Sequence, residues 1–109
     1  MRVLFEAVDP RGWQVTCTED CWQRHVLVRR PWMLGWEPRV KKAIEKPRYG
    51  IYRSSKHPER QIYYLRLDRH RHLRVVVRFP KEGPGEVVTA YTTDYLTPGE
   101  VLIWPESHD

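Results

Sequence analysis

Four extended runs in the second half of the chain constrain its fold most strongly. Each is rich in Val, Ile, Tyr or Thr, which favour strands, and each is bounded by residues that favour turns. The links between the runs have the lengths of hairpin loops, which predicts antiparallel pairing of neighbours. The runs are YGIYRSS (49–55), QIYYLRLD (61–68), LRVVVRFP (73–80) and EVVTAYTT (86–93).

The first half of the chain predicts a β-hairpin followed by two helices. The hairpin strands are 2–8 and 13–18 around the turn DPRG, and the helices are 19–29 and 38–46. Thr18 is suited to cap the first helix, because its hydroxyl can accept a hydrogen bond from an unpaired backbone N–H. Pro31 and Pro47 mark the ends of the two helices, since proline cannot continue a helix.

This order of elements predicts a single α+β domain over residues 1–109. It consists of an N-terminal β-hairpin, two helices and then a four-stranded antiparallel sheet, with the helices on one face of the sheet. The final run, LTPGEVLIW (96–104), fits either a short edge strand or a segment that wraps back over the sheet.

The run LRVVVRFP has two different faces. Leu73, Val75, Val77 and Phe79 alternate along it and are expected to pack on the helices. Arg74 and Arg78 then project from the opposite face. Together with Arg29 and Arg30 at the end of the first helix, they form a set of guanidinium groups suited to the phosphates of RNA, and they are the predicted RNA-binding residues.

The chain carries a large excess of arginine. Its net charge is +5, its pI is about 9.5, and 14 of its 19 basic residues are Arg. Guanidinium groups match the geometry of phosphates and stack on bases, so such a surface fits a nucleic-acid partner. The absence of Asn, with nine Pro and two Met, fits adaptation to heat in a thermophile. The composition leaves both explanations open.

Several classes of protein are disfavoured by what the sequence lacks. No run approaches the roughly 18 apolar residues of a membrane-spanning helix, and the N-terminus does not have the pattern of a secretory signal. We therefore expect a cytoplasmic protein without a membrane partner. Cys17 and Cys21 are too few for a disulfide framework, and His70 and His72 have no evident third ligand, so no metal or cofactor is expected.

Hydroxyl groups crowd the last strand, GEVVTAYTT, which contains Thr89 and Tyr91. His25 lies on the first helix among arginines. Cleavage of RNA without a metal needs a base, an acid, and donors or cations that stabilise the phosphorane, and His, Arg, Thr and Tyr suffice for these roles. Taken singly, a helix histidine is more often an ordinary surface residue, and Thr and Tyr favour strands anyway.

The order of these motifs resembles that of a nuclease family. TEDCWQRHVLVRRP is followed by RVKKAIEKPRYGIYRS, then by LRVVVRF, then by VVTAYTT. This order is similar to that of the phage- and mobile-element-associated nucleases of the barnase–EndoU–colicin–RelE group, the BECR fold, over about residues 2–93. The resemblance implies a helical segment followed by a four-stranded antiparallel sheet, and metal-independent ribonuclease activity, often as a toxin.

The resemblance also implies roles for particular residues. His25 matches the helix histidine of the family, an acid or base. Thr89 and Tyr91 match the hydroxyls of its "TAY" strand. Arg53, followed by Ser54, matches the polar end of the first sheet strand. Trp32 departs from the pattern, because an acidic residue often stands there.

These features predict a small metal-independent endoribonuclease that cleaves RNA by 2′-hydroxyl transesterification. Two alternatives remain open. One is an RNA-binding module without catalysis, which would hold RNA by phosphate contacts and stacking. The other is a toxin–antitoxin interaction protein, whose basic face meets an acidic antitoxin.

Overall fold

The secondary structure, taken from a computed structural model, is described for residues 2–94, 96 and 99–105. A one-turn helix α1 leads into a π-helix, a 3₁₀ turn follows, and the second α-helix is α2. These are α1 Glu19–Cys21, the π-helix Trp22–Leu27, the 3₁₀ turn Pro31–Met33 and α2 Glu37–Glu45. The strands are β1 Val3–Val8, β2 Gln14–Thr18, β3 Ile51–Arg53, β4 Arg60–Arg66, β5 His72–Arg78, β6 Gly85–Thr93 and β7 Val101–Trp104.

All of these strands belong to one mixed sheet in the order β1-β2-β6-β5-β4-β3-β7. The α+β class is confirmed. The prediction of a separate hairpin beside a four-stranded antiparallel sheet is wrong, because β2 pairs parallel with the start of β6 and joins the hairpin to the meander. At the other end of the sheet, β7 pairs antiparallel with β3 and forms an edge. The sheet is therefore seven-stranded within the described residues.

Strand β3 is much shorter than the predicted run 49–55. Tyr49 and Gly50 have φ values of 70° and 100°, in the left-handed region, so the strand begins only at Ile51. It ends after Arg53, because the N–H of Ser54 donates to the carbonyl of Arg60 and closes the turn to β4. Any side chain at Gly50 would also meet the carbonyl oxygen of Trp104.

The two faces of the sheet have different coverings. The main core lies on the helix-covered face, where Leu73, Val75 and Val77 of β5 pack with Val26 and Ile44. The opposite face carries a small apolar cluster of Ile62, Tyr64 and Val76. We call this second face the open face; Arg74 and Arg78 alternate with Val76 along it.

Helix α1 begins at the expected cap. The hydroxyl of Thr18 accepts a hydrogen bond from the N–H of Cys21 at 3.2 Å. Cys17 is buried, and burial raises the pKa of its thiol to about 12. None of the helices in residues 2–94, 96 and 99–105 is long and apolar enough to cross a membrane.

Stability is expected to fall in mild acid because of His72. The residue is 9% exposed, and its Nε2 lies 3.0 Å from the hydroxyl oxygen of Tyr49. Burial, with the charges of Arg66 and Arg48, lowers the pKa of His72. As the pH falls, His72 therefore takes up a proton more readily in the unfolded chain than in the folded chain. The neutral, buried His72 favours the folded state above about pH 6.5, and this stabilisation is lost as the pH falls below that value.

Denaturant unfolding at about pH 7.5 and about pH 5 measures this effect. The wild type should lose stability between the two, and His72→Gln should lose less. The exposed neighbour His70 offers a matched control, since His70→Gln should follow the wild type. An equal loss in His72→Gln and wild type would rule out His72 as the cause.

Candidate functional site: a basic cavity on the open face

A cavity of about 500 Å³ opens between the π-helix, the β3–β4 loop and the open face of the sheet. We call it the basic cavity, because cations dominate its walls. Its lining residues are Arg24, His25, Arg29, Arg30, Ser54, His57, Arg60, Ile62, Arg74, Val76, Val88, Thr89 and Tyr91. Among the described residues that line it there are five arginines, two histidines and no carboxylate.

The helical wall is built from the end of the first helical segment. Trp22 and Val26 are buried in the core, so the side chains between them, including His25, face away from it. The segment winds as a π-helix, with the N–H of Val28 donating to the carbonyl of Gln23 at 3.1 Å. Such turns are rare and occur frequently at functional sites. His25 is exposed and lines the cavity together with Thr89.

A β-bulge in β6 shapes the floor of the cavity. Val76 of β5 pairs with Thr89, whereas Val77 pairs with Val87, so Val88 is an extra residue in the ladder. Val87 and Ala90 point into the core, and Val88 and Thr89 both line the cavity. Bulges re-aim side chains in this way. The bulge therefore lets a strand anchored in the core present Thr89 and Tyr91 to the open face.

The third wall is the loop between β3 and β4. Its conformation is fixed by backbone hydrogen bonds from Ser54 to Arg60 at 3.0 Å and from Arg60 to His57 at 2.9 Å. The N–H of His57 also donates to the hydroxyl oxygen of Ser54 at 3.2 Å. These bonds place Ser54, His57 and Arg60 on the cavity. A second histidine thus lines the same space as His25.

Three of the five arginines carry charge that no carboxylate neutralises within the described residues. Arg24 pairs with Asp20 at 2.9 Å, and Arg74 pairs with Glu100. Arg29, Arg30 and Arg60 form no ion pair in that part of the chain. Because these three guanidinium groups have no carboxylate partner within the described residues, they make the cavity attractive to anions.

Tyr91 is held in place by two arginines. Its hydroxyl accepts a hydrogen bond from Nη1 of Arg74 at 2.6 Å, and the guanidinium of Arg30 lies 4.5 Å from its ring centroid. Arg74 also donates to Glu100, whose other oxygen accepts from Tyr64 at 2.7 Å. Burial alone would lower the pKa of Arg74, but the hydrogen bonds to Glu100 and Tyr64 outweigh it and raise the pKa. Arg74 therefore stays charged and positions Tyr91.

Two predicted site residues lie outside the basic cavity. Arg53 is two residues beyond Ile51, which is buried in the core, so alternation along β3 directs it away from the open face. It lines a separate cavity with Arg11 and Trp104. Arg78 is on the open face, but it lies beyond the cavity wall and pairs with Glu86 at 3.0 Å.

Six of the eight site residues predicted from the sequence line the basic cavity, and other residues that line it were not predicted. The six are His25, Thr89, Tyr91, Arg74, Arg29 and Arg30. His57 and Arg60 were missed, although both lie in the short link between the runs 49–55 and 61–68. Their proximity in sequence to Ser54 is the signal that could have indicated them. His108 lies outside the described residues.

No described residues group three or more His, Cys, Asp or Glu side chains in a way that could hold a metal ion. Comparison of the chain with protein-family models, curated proteins and solved structures finds no match. The resemblance to the BECR nucleases stays a prediction.

Proposed function

We propose that the chain is a small ribonuclease that cleaves RNA through attack of a ribose 2′-hydroxyl on the adjacent phosphate. The observation that carries the proposal is the composition of the basic cavity. His25 and His57 line one space with three unneutralised arginines, and no described lining residue is a carboxylate. Hard cations such as Mg²⁺ prefer oxygen ligands, so this set of side chains suits metal-independent chemistry.

The reaction requires two proton transfers and stabilisation of charge. A base removes the proton of the 2′-hydroxyl, the 2′-oxygen bonds to phosphorus, and the bond from phosphorus to the 5′-oxygen breaks. An acid gives a proton to that leaving oxygen. The products are a 2′,3′-cyclic phosphate and a 5′-hydroxyl. In this proposal His25 and His57 serve as the base and acid, because both are exposed imidazoles on the same cavity.

The remaining polar groups of the cavity suit the developing negative charge on phosphorus. Arg29, Arg30 and Arg60 supply cations, and the hydroxyl of Thr89 supplies a hydrogen-bond donor. Arg74 is already paired with Glu100, so its proposed role is to position Tyr91 rather than to bind phosphate directly. No cofactor is required for this reaction.

A second candidate function is RNA binding without cleavage. The observation in its favour is that neither the ring of His25 nor that of His57 has a hydrogen-bond partner within the described residues that would orient it for proton transfer. A cytoplasmic ribonuclease of this kind could act as a toxin. An acidic antitoxin would then be attracted to the three guanidinium groups in the cavity that have no carboxylate partner within the described residues.

Incubation of the purified protein with mixed RNA in EDTA separates these candidates. Cleavage that persists in EDTA is expected for the ribonuclease, since the nucleophile belongs to the RNA and the acid and base to the protein. Binding without cleavage would support the RNA-binding module. Cleavage that EDTA abolishes would overturn the proposed mechanism.

Arg29 and Arg30 are expected to set the salt dependence of RNA binding. Replacing both by Ala should weaken binding to single-stranded RNA. The slope of log K against log salt should fall by about 0.7 for each phosphate that the protein no longer neutralises, because fewer counterions are released. Filter binding over a range of salt concentrations measures the slope.

Arg78→Ala is the matched control for this double variant. Arg78 lies on the same face of the sheet but outside the basic cavity and is paired with Glu86. Its replacement should leave the slope nearly unchanged. If the double variant has the same salt slope as the wild type, Arg29 and Arg30 do not contact the phosphates of the RNA.

A further inference from the structure

We propose that Trp32 is a stacking platform for an unpaired nucleobase next to the basic cavity, which makes single-stranded RNA the preferred substrate. The inference rests on the RNA binding that the proposed function includes. It identifies a binding residue outside the cavity and the class of RNA that the site accepts.

Trp32 is exposed in a way that packing does not explain. It is 61% exposed, whereas Trp22 is 2% exposed and lies in the core. Trp13 is also partly exposed, but the guanidinium of Arg11 lies 3.6 Å from its ring centroid and the ring of Phe79 lies 5.3 Å away. The ring of Trp32 has no aromatic or cation–π partner among the described residues. The ring is therefore accessible for stacking on a base.

The backbone around Trp32 is firmly anchored. Trp32 is the middle residue of the 3₁₀ turn, and the next residue, Met33, is fully buried in the core. The N–H of Met33 donates to the carbonyl of Arg30 at 3.0 Å, and the N–H of Trp36 donates to the carbonyl of Met33 at 3.0 Å. A ring presented on a fixed backbone loses little entropy when it binds, which favours stacking.

The position of Trp32 fits a nucleotide adjacent to a phosphate in the cavity. Arg30 lines the cavity and is two residues away, so the two Cα atoms are separated by no more than about 7.6 Å. Proteins that bind single strands combine a basic groove with aromatic rings on which bases stack. A base in a duplex is already stacked and paired, and it cannot lie flat on such a ring.

A protein partner is the competing occupant, because Val28 and Leu34 are also exposed beside Trp32, at 74% and 72%. The charge of the segment favours RNA instead. Arg29 and Arg30 lie between these apolar residues and form no ion pair within the described residues. An apolar protein partner would have to remove these two unpaired charges from water, whereas the phosphates of a polyanion pair with them.

Fluorescence anisotropy with a labelled single-stranded 2′-O-methyl RNA tests the proposal, because this probe cannot be cleaved by 2′-hydroxyl attack. Trp32→Ala should bind about 5- to 150-fold more weakly than the wild type, with an unchanged salt slope, since the variant lacks the stacking ring and keeps every phosphate-binding group. Trp32→Phe should retain most of the affinity. Leu34→Ala is the matched control, because it removes an equally exposed apolar side chain without a ring.

Each outcome tests the stacking role of Trp32 separately from the proposed ribonuclease activity. Trp32→Ala that binds the probe as tightly as the wild type would overturn the stacking role and leave the cleavage mechanism intact. A change of self-association in sedimentation, with RNA binding unaltered, would identify the segment as a protein interface and also overturn it. Weaker binding by Trp32→Ala, with no RNA cleavage by the wild type, would support stacking while refuting the nuclease.

Discussion

His25→Ala is expected to fold like the wild type and to cleave RNA about 10²- to 10⁴-fold more slowly. His25 is exposed on the π-helix, and its neighbours Trp22 and Val26 supply the packing in the core, so the fold should not depend on its imidazole. The loss follows because a positioned acid or base contributes on this scale. Single-turnover cleavage of RNA in EDTA measures it.

His70→Ala is the matched control for this variant. His70 is an exposed histidine in the β4–β5 turn, outside the basic cavity, and its replacement should leave the rate unchanged. His57→Ala should lose activity on the scale of His25→Ala. The double variant should be little worse than either alone, because acid and base act as a unit. A His25→Ala protein that cleaves as fast as the wild type would refute the assignment.

Asp9→Ala is expected to destabilise the fold by about 3–5 kcal/mol, because it leaves a mostly buried guanidinium without its partner. The side chain of Asp9 is 0% exposed and that of Arg11 is 13% exposed, and the two pair at 2.7 Å. Asp9 also accepts from the hydroxyl of Tyr63 at 2.8 Å. Burial and the charge of Asp9 raise the pKa of Tyr63 well above its usual range, so it remains a protonated donor.

Denaturant unfolding of Asp9→Ala gives the change in the free energy of unfolding directly. Glu86→Ala provides the matched comparison, since the ion pair of Glu86 with Arg78 has a similar distance, 3.0 Å, but lies at the surface. Removing such an exposed pair should cost no more than about 1 kcal/mol. Equal losses in the two variants would mean that burial does not determine how much the Asp9–Arg11 pair contributes to the free energy of unfolding.

Local patterns in the sequence predicted the approximate positions of most strands, although β3 is much shorter than expected. The alternation of β5 correctly placed Val75 in the core and Arg74 on the open face, because a strand has a period of two. The pairing of β2 with β6 could not be predicted in this way. It joins segments that are far apart in sequence, at Val15–Gly85, and depends on how the whole sheet assembles.

The candidate site was only partly predictable for a similar reason. His25 stood out because it lies among arginines on a helix. The orientation of Thr89 depends on the bulge at Val88, which the even pattern of β-forming residues does not reveal. His57 reaches the cavity through a loop fixed by its own hydrogen bonds, and Glu100 reaches Arg74 from a distant part of the chain. Tertiary structure brings these residues together.

The products of a chimeric oligonucleotide test the proposed mechanism most directly. The substrate is a pool of short strands with randomised bases, each containing one ribose among 2′-deoxyriboses, incubated with the purified protein in EDTA. We expect cleavage only after the ribose, with a 2′,3′-cyclic phosphate on one fragment and a 5′-hydroxyl on the other. Cleavage next to deoxyriboses, fragments with 5′-phosphates, or loss of cleavage in EDTA would contradict the mechanism.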